Sequence, residues 1–350
     1  MAWCGSMRMA RIQGDPEGES CYHVMSRTVS DEVTGMMFFG AREKNVFAKQ
    51  MRKQAEFAGV EVLTWCMMDN HFHLLVRVPP REEFLEGLMS DGRKKFWKHM
   101  RVLYSRERVK AVREQVAKLE KKEKGNHDRG DQFLKPFTAR MADLSKFVQG
   151  LKYAFSIWFN RKRGRKGTLW MGRFKSVLLE GEKSVLNKVA AYIDLNPIRA
   201  GLVKDPGDYR WSGYGQAVGG KVEARRGLSA VYGYARNEWK QISREYRQLL
   251  YLEGVEVRDS DGIVVRAGVS KDDFYRETAE RGKEAAGKRM ARRVRYFSDG
   301  AAIGSREFLE RVFEKNRAMF GPKRKTGARK FRGPWWMGAG LFSLRDLGAR

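Results

Sequence analysis

The hydrophobic pattern divides the chain into short apolar runs and longer stretches with helical spacing. "CYHVMSRTV", 21–29, collects β-branched and aromatic residues before a polar turn, which predicts a strand. Residues 42–58 place Phe47, Met51, Ala55 and Ala58 at helical intervals and predict an amphipathic helix. "VEVLTWCMM", 60–68, is apolar on both faces, as a central strand is. "HFHLLVRV", 71–78, is stopped by Pro79 and Pro80. Asp69-Asn70 between these runs tolerate left-handed backbone, so the two predict a β-hairpin.

From 81 to about 125 the chain is helical in pattern and heavily charged. Its last part has few apolar positions and predicts a solvated helix, broken by "NHDRGD". Met141, Leu144, Val148, Leu151, Phe155 and Trp158 then form an apolar stripe, so a packed helix is expected over 140–160. "NRKRGRKG", 160–167, predicts a basic loop and "FKSVLLE", 174–180, a strand. Residues 181–197 predict a helix whose ladder falters near Asn196, because the residue before proline avoids the α region. The order strand, helix, hairpin, helices, strand, helix predicts an α+β fold, an antiparallel sheet with helices packed on one face. A unit over 1–215 carries a charged helical insert at about 91–135. Beyond it, "GGKVEARRG" resembles a linker, and 216–350 predicts a mostly helical basic extension with helices at 235–252 and 305–320. A Gly-rich basic arm at about 321–338, ending near Trp335 and Trp336, predicts a flexible segment. It acts either as a phosphate clamp or as a solubilising tail.

Composition adds two constraints. Hydrophobic residues make up 42% of the chain, enough for a core, and no apolar run reaches the length of a membrane span. The N-terminus lacks the features of a secretory signal, and Cys4, Cys21 and Cys66 form no C-x-x-C motif, so a reduced cytoplasmic compartment is expected. Seventy Lys and Arg against 42 Asp and Glu give a net charge of +28. Such a chain repels itself unless a polyanion is near, which points to nucleic acid; a merely basic, solvated surface is the alternative.

Candidate chemistry begins with His71 and His73, two of only five histidines. Side chains alternate on a strand, so these imidazoles share a face, about 7 Å apart by strand rise, while Phe72, Leu74 and Val76 face the other way. Two imidazoles on one face can ligate a divalent cation; two incidental sheet histidines are the plainer reading. On the helix over 181–197, Lys188, Tyr192 and Asn196 follow one another at four-residue intervals and share a face. They offer an amine, a phenol and a hard amide oxygen. Two histidines plus oxygen suit Mg²⁺ or Mn²⁺. A half-buried aromatic on an amphipathic helix is the alternative for Tyr192.

The segments "YHVMSR", "HFH", "GTLWMGRFKS", "AAYIDLNPIRAGLV" and "DYRWSGY" together resemble the REP-associated tyrosine transposases, within the HUH group of single-strand DNA transposases. The likeness covers about 8–80 and 136–215. It implies a ferredoxin-like HUH domain, with His71 and His73 as the metal pair, Tyr192 as the nucleophile and Asn196 as a third ligand. It also implies cleavage of single strands beside palindromic hairpins through a 5′-phosphotyrosine. Lys188 would lower the phenol pKa or hold a phosphate, unless it is simply solvent-exposed. DNA contacts are expected from Arg161, Lys162, Arg163, Arg165, Lys166, Arg173 and Lys175, with Trp170 and Phe174 stacking bases; core packing is the alternative for Trp170. The implied setting is the nucleoid, and both a monomer and a homodimer stay open. A replication initiator or relaxase would keep the chemistry; a noncatalytic nucleic-acid regulator would need neither His-x-His nor Tyr192.

Overall fold

The computed structural model describes residues 11–29, 39–122, 128–235, 237–254, 257–258, 264–266, 268, 297, 300–330 and 341–344. Strands β1 (Ser20–Arg27), β2 (Glu61–Met67), β3 (His71–Val78) and β4 (Lys175–Leu179) form one side of a seven-stranded sheet, with β2 at its edge rather than at its centre as expected. Short strands β7 (Ala302–Gly304), β8 (Arg329–Lys330) and β9 (Phe342–Leu344) extend it, in the order β2-β3-β1-β4-β7-β9-β8. The β4–β7 pair is parallel and the other pairs are antiparallel, so the sheet is mixed. A separate ribbon joins β5 (Val257–Arg258) and β6 (Val264–Arg266).

The sheet is buried on both faces, which corrects the expectation of helices on one. On the first face lie α1 (Ala41–Ala58) and α6 (Leu144–Arg163). Phe47, Met51, Phe147, Leu151 and Phe155 pack there against Val24, Phe72, Leu74 and Val76. Each large side chain so buried contributes on the order of 1.5–3 kcal/mol. On the second face lie α7 (Lys183–Asp194), the short α8 (Asn196–Arg199), α9 (Gly213–Val218), α10 (Val222–Val231) and α11 (Trp239–Gly254). Val185, Val189, Leu228 and Tyr246 there cover Cys21, Leu63, Leu75 and Val177. The cause is visible in the strands themselves: "VEVLTWCMM" is apolar on both faces because both are covered.

Three further readings change. The segment "GGKVEARRG" is no linker: after a turn at Gly219-Gly220, residues from Val222 onward form α10. There Gly227 lies so close to β2 that a Cβ would stand 2.5 Å from the Leu63 carbonyl oxygen. The charged insert is also more than a solvated helix. It comprises α3 (Lys94–Met100), α4 (Arg106–Lys122) and α5 (Asp128–Thr138), preceded by α2 (Arg81–Met89). Val109, Val112 and Val116 of α4, at i, i+3 and i+7, bury against Phe96, Met100 and Leu134 in a small core of their own. Finally, the arm is partly fixed. Arg324 lies over the Phe313 and Phe320 rings, Glu310 accepts from the backbone of Gly327 and Ala328, and β8 pairs with β9 beyond α12 (Arg306–Lys315). Trp335 and Trp336 lie outside the described residues, as does Cys4, while Cys21 and Cys66 are free and buried. Among the described residues no helix is long and apolar enough to cross a membrane.

Candidate active site

Strand alternation sends His71 and His73 to the second face, towards α7, while Phe72 and Leu74 enter the first core. The hairpin turn before them is held from several sides. Asn70 O accepts from the Thr28 N–H, Asp69 O from the Phe39 N–H, and the Asp69 carboxylate pairs with the buried Lys44 ammonium. Lys44 also donates to the Tyr209 hydroxyl, which in turn donates to Met67 O.

The helix carrying the phenol is fixed just as firmly. Asp194, fully buried at the end of α7, accepts from the Thr64 hydroxyl, the Tyr214 N–H and, at 2.7 Å, the Tyr246 hydroxyl. Burial outweighs those bonds and pushes its carboxyl up to about 7. After Asp194 the ladder breaks at Leu195, as Pro197 requires, and α8 begins. The Asn196 amide nitrogen donates to the carbonyls of Tyr192 and Ile193, at 2.9 and 3.1 Å. That leaves its oxygen as the atom able to meet a cation. Lys188 is half-buried on α7, one turn before Tyr192.

These elements bring the rings together. The centroids of His71 and His73 are 5.1 Å apart, and the Tyr192 ring stands edge-on to His73 at 5.8 Å. A third imidazole, His23 of β1, joins them, 5.1 Å from His73 and 5.7 Å from Tyr192. His23 Nε2 lies 2.9 Å from His73 Nδ1, and His23 Nδ1 lies 2.8 Å from the carbonyl oxygen of Phe297. The Phe297 ring itself packs on Tyr192 at 5.0 Å.

Burial holds all three imidazoles neutral. His23 and His71 are each lowered to about 4, mainly by burial, with Arg27 adding to the effect at His71. His73 is driven well below its ordinary range by burial and by the neighbouring histidines and Arg199. A neutral imidazole offers the lone pair a metal needs, so the donors fit a divalent ion. Among the described residues no three His, Cys, Asp or Glu side chains form a metal cage, so oxygen from Asn196 or substrate would complete any such site. Cations surround it. Arg27 is exposed opposite His71 in the β1–β3 register, and the Arg199 guanidinium lies 5.2 Å from the Tyr192 ring centre. Exposed Lys175 lies in one row with Met25 and His73 across three strands, hence on the same face and roughly 10 Å from His73 along the sheet.

The expected DNA-binding residues divide. Arg161, Lys162 and Arg163 form the last turn of α6 rather than a loop, because the helix runs on to a left-handed Gly164. Arg163 is engaged with buried Glu43 at 2.7 Å, and Arg165 donates to Thr168 O. Arg161, Lys162, Lys166, Arg173 and Lys175 are exposed. Trp170 is not a stacking platform: it is 7% exposed, packs against Phe72 and Phe155, and donates its ring N–H to Lys152 O. Phe174 is half-buried against the same core. The loop between α6 and β4 nevertheless runs beside the site, since the Met171 N–H donates to Arg27 O and the Val29 N–H to Leu169 O.

Sequence reasoning missed His23, Arg27, Arg199 and Phe297. Arg199 follows Tyr192 by seven residues, two helical turns, and was within reach of the spacing argument. His23 and Arg27 needed the strand register, and Phe297 needed the fold of a distant segment.

Compared with known proteins, the chain matches no protein-family profile and no curated protein. Among solved structures it is similar to a REP-associated tyrosine transposase bound to a REP hairpin. That similarity has a TM-score of 0.36 at 14% identity, over 61% of this chain and 87% of the other.

Proposed function

We propose that this protein cuts and rejoins single-stranded DNA beside palindromic hairpins, with Tyr192 as nucleophile and Mg²⁺ or Mn²⁺ held by His71, His73 and Asn196. The observation that carries the reading is the meeting of two neutral imidazoles on a hairpin with a helix-borne phenol 119 and 121 positions later in the chain, with the His73 and Tyr192 rings 5.8 Å apart. When bound, the ion would supply Lewis acidity to the non-bridging oxygens of the scissile phosphate.

The Tyr192 oxygen attacks phosphorus and gives up its proton. The bond from phosphorus to the 3′ oxygen breaks, and that oxygen leaves with the bonding pair and acquires a proton. A 5′-phosphotyrosine and a 3′-hydroxyl result. The covalent link conserves the phosphodiester, so rejoining needs no nucleotide hydrolysis; the sequence contains no G-x-x-x-x-G-K-[ST] loop. Arg199, Arg27 and Lys175 favour the incoming phosphates, and Lys188 adds charge one turn before the phenol.

The test is a nicking assay on a labelled hairpin oligonucleotide with Mn²⁺. Tyr192→Phe should abolish cleavage and retain binding. Cleavage by that variant would move the nucleophile elsewhere, and Tyr153, the other candidate, is exposed on α6, across the sheet from the histidines. Binding without cleavage by the unaltered protein would leave a noncatalytic nucleic-acid binder.

A further inference from the structure

The structure assigns to His23 the task of fixing which nitrogen of His73 faces the candidate metal site, through a hydrogen-bond chain that starts at the backbone of Phe297. This rests on the metal-dependent reading above, but its first consequence concerns the metal-free protein. A carbonyl oxygen only accepts hydrogen bonds, so at 2.8 Å from Phe297 O the His23 Nδ1 carries a proton. The 2.9 Å contact between His23 Nε2 and His73 Nδ1 holds one proton between two nitrogens. Were it on His23, that ring would be a cation with no exposed surface at all. It therefore sits on His73 Nδ1 and is donated to His23 Nε2. The Nε2 of His73 is left with its lone pair.

The neighbouring histidine obeys the same logic by another route. His71 Nδ1 lies 2.7 Å from Asn70 Oδ1, an acceptor, so His71 also carries its proton on Nδ1 and presents Nε2. Two separate partners thus impose the same tautomer on both imidazoles. A pair of sheet histidines without a ligand to meet has no need of such matching. His23 is a positioning residue: both of its nitrogens are engaged, and neither is left to bind an ion. The arrangement also makes the C-terminal segment part of the site, because the oxygen at the head of the chain belongs to residue 297.

The test uses the full-length protein without metal. Long-range ¹H–¹⁵N NMR of the imidazoles should show His73 protonated at Nδ1 and unprotonated at Nε2. His23→Phe keeps an aromatic in the core but cannot accept, so His73 should shift towards the other tautomer. His23→Gln, whose side-chain oxygen reaches about where Nε2 stood, should restore the original pattern and serves as the control for folding. Mn²⁺ binding by calorimetry should weaken about 10–100-fold in His23→Phe and recover in His23→Gln. An Nε2-protonated His73 in the unaltered protein, or a His23→Phe variant with unchanged tautomer and unchanged Mn²⁺ affinity, would overturn the assignment. If the unaltered protein shows the expected tautomer but neither binds Mn²⁺ nor cuts DNA, the catalytic reading fails while the relay stands.

Discussion

At the scale of single residues, the site is defined by which atoms are already engaged. The Asn196 amide nitrogen is tied to two carbonyls of α7, and both nitrogens of His23 are occupied, so the atoms placed to meet an ion are the Nε2 atoms of His71 and His73 and the Asn196 side-chain oxygen, with the Tyr192 ring beside them. If the ion rests on the two imidazoles, His71→Ala and His73→Ala should each lower Mn²⁺-dependent nicking by at least about 100-fold, since each removes a ligand rather than a supporting contact. EDTA should do the same to the unaltered protein, with recovery on adding Mn²⁺. Undiminished cutting in EDTA would argue against the metal. His71, His73, Tyr192 and Asn196 were legible because strand and helix periodicities assign side chains to faces without knowledge of tertiary contacts. Trp170 was not, because an aromatic beside basic residues has the same pattern whether its ring stacks on a base or fills a core.

At the scale of elements, two glycines and one carboxylate seat α7, α9 and α10 on β2, and a third glycine packs α9 on the turn before it. A Cβ at Gly213 would collide with the Thr64 hydroxyl, one at Gly215 with Tyr209 O, and one at Gly227 with the carbonyls of Val62 and Leu63. Gly227→Ala should therefore cost roughly 1–3 kcal/mol, read as a lower urea midpoint, because the obstacle is backbone that cannot swing aside. Asp194 makes a pH-dependent prediction. Folding raises its carboxyl from 3.8 to about 7, so the native state keeps a proton that the unfolded chain releases. Its contribution is complete below about pH 4 and is lost as pH rises through about 7. His23 and His71, lowered from 6.5 to about 4, run the opposite way: their contribution is complete above 6.5 and is lost as pH falls through about 4. Comparing Asp194→Asn with the unaltered protein cancels the histidines. The advantage of the unaltered protein in urea midpoint should shrink between pH 5 and pH 8, and a constant difference would count against a buried, proton-holding Asp194. None of these contacts was readable beforehand. Glycine in "GGKVEARRG" has the same local signature in a linker as in a helix pressed against a strand.

At the scale of the whole molecule, the sheet gathers its site from distant parts of the chain: β1 and β3, α7 after the insert, and residue 297 near the three added strands. The element order up to α7 was legible from periodicity. The covering of both faces and the parallel β4–β7 pairing were not, since strands of three residues leave no pattern. Charge is the property that acts over this whole surface. With a net charge of +28, affinity for a single strand should fall steeply with salt, each phosphate contact contributing about 0.7 to the slope of log affinity against log salt concentration. Arg161, Lys162 and Lys166 are exposed at the end of α6 and the start of the loop that passes beside Arg27. If all three contact phosphates, replacing them together with Gln should reduce the slope by about 2 and weaken binding to all sequences alike. Arg163→Gln should behave differently. Its guanidinium answers buried Glu43 at 2.7 Å, so its loss should lower the urea midpoint by leaving that carboxylate unpaired, with a smaller change in the salt slope than an exposed cation gives. Equal slopes for the triple variant and the unaltered protein would remove this surface from the DNA path and direct the search to Arg27, Lys175 and Arg199 around the phenol.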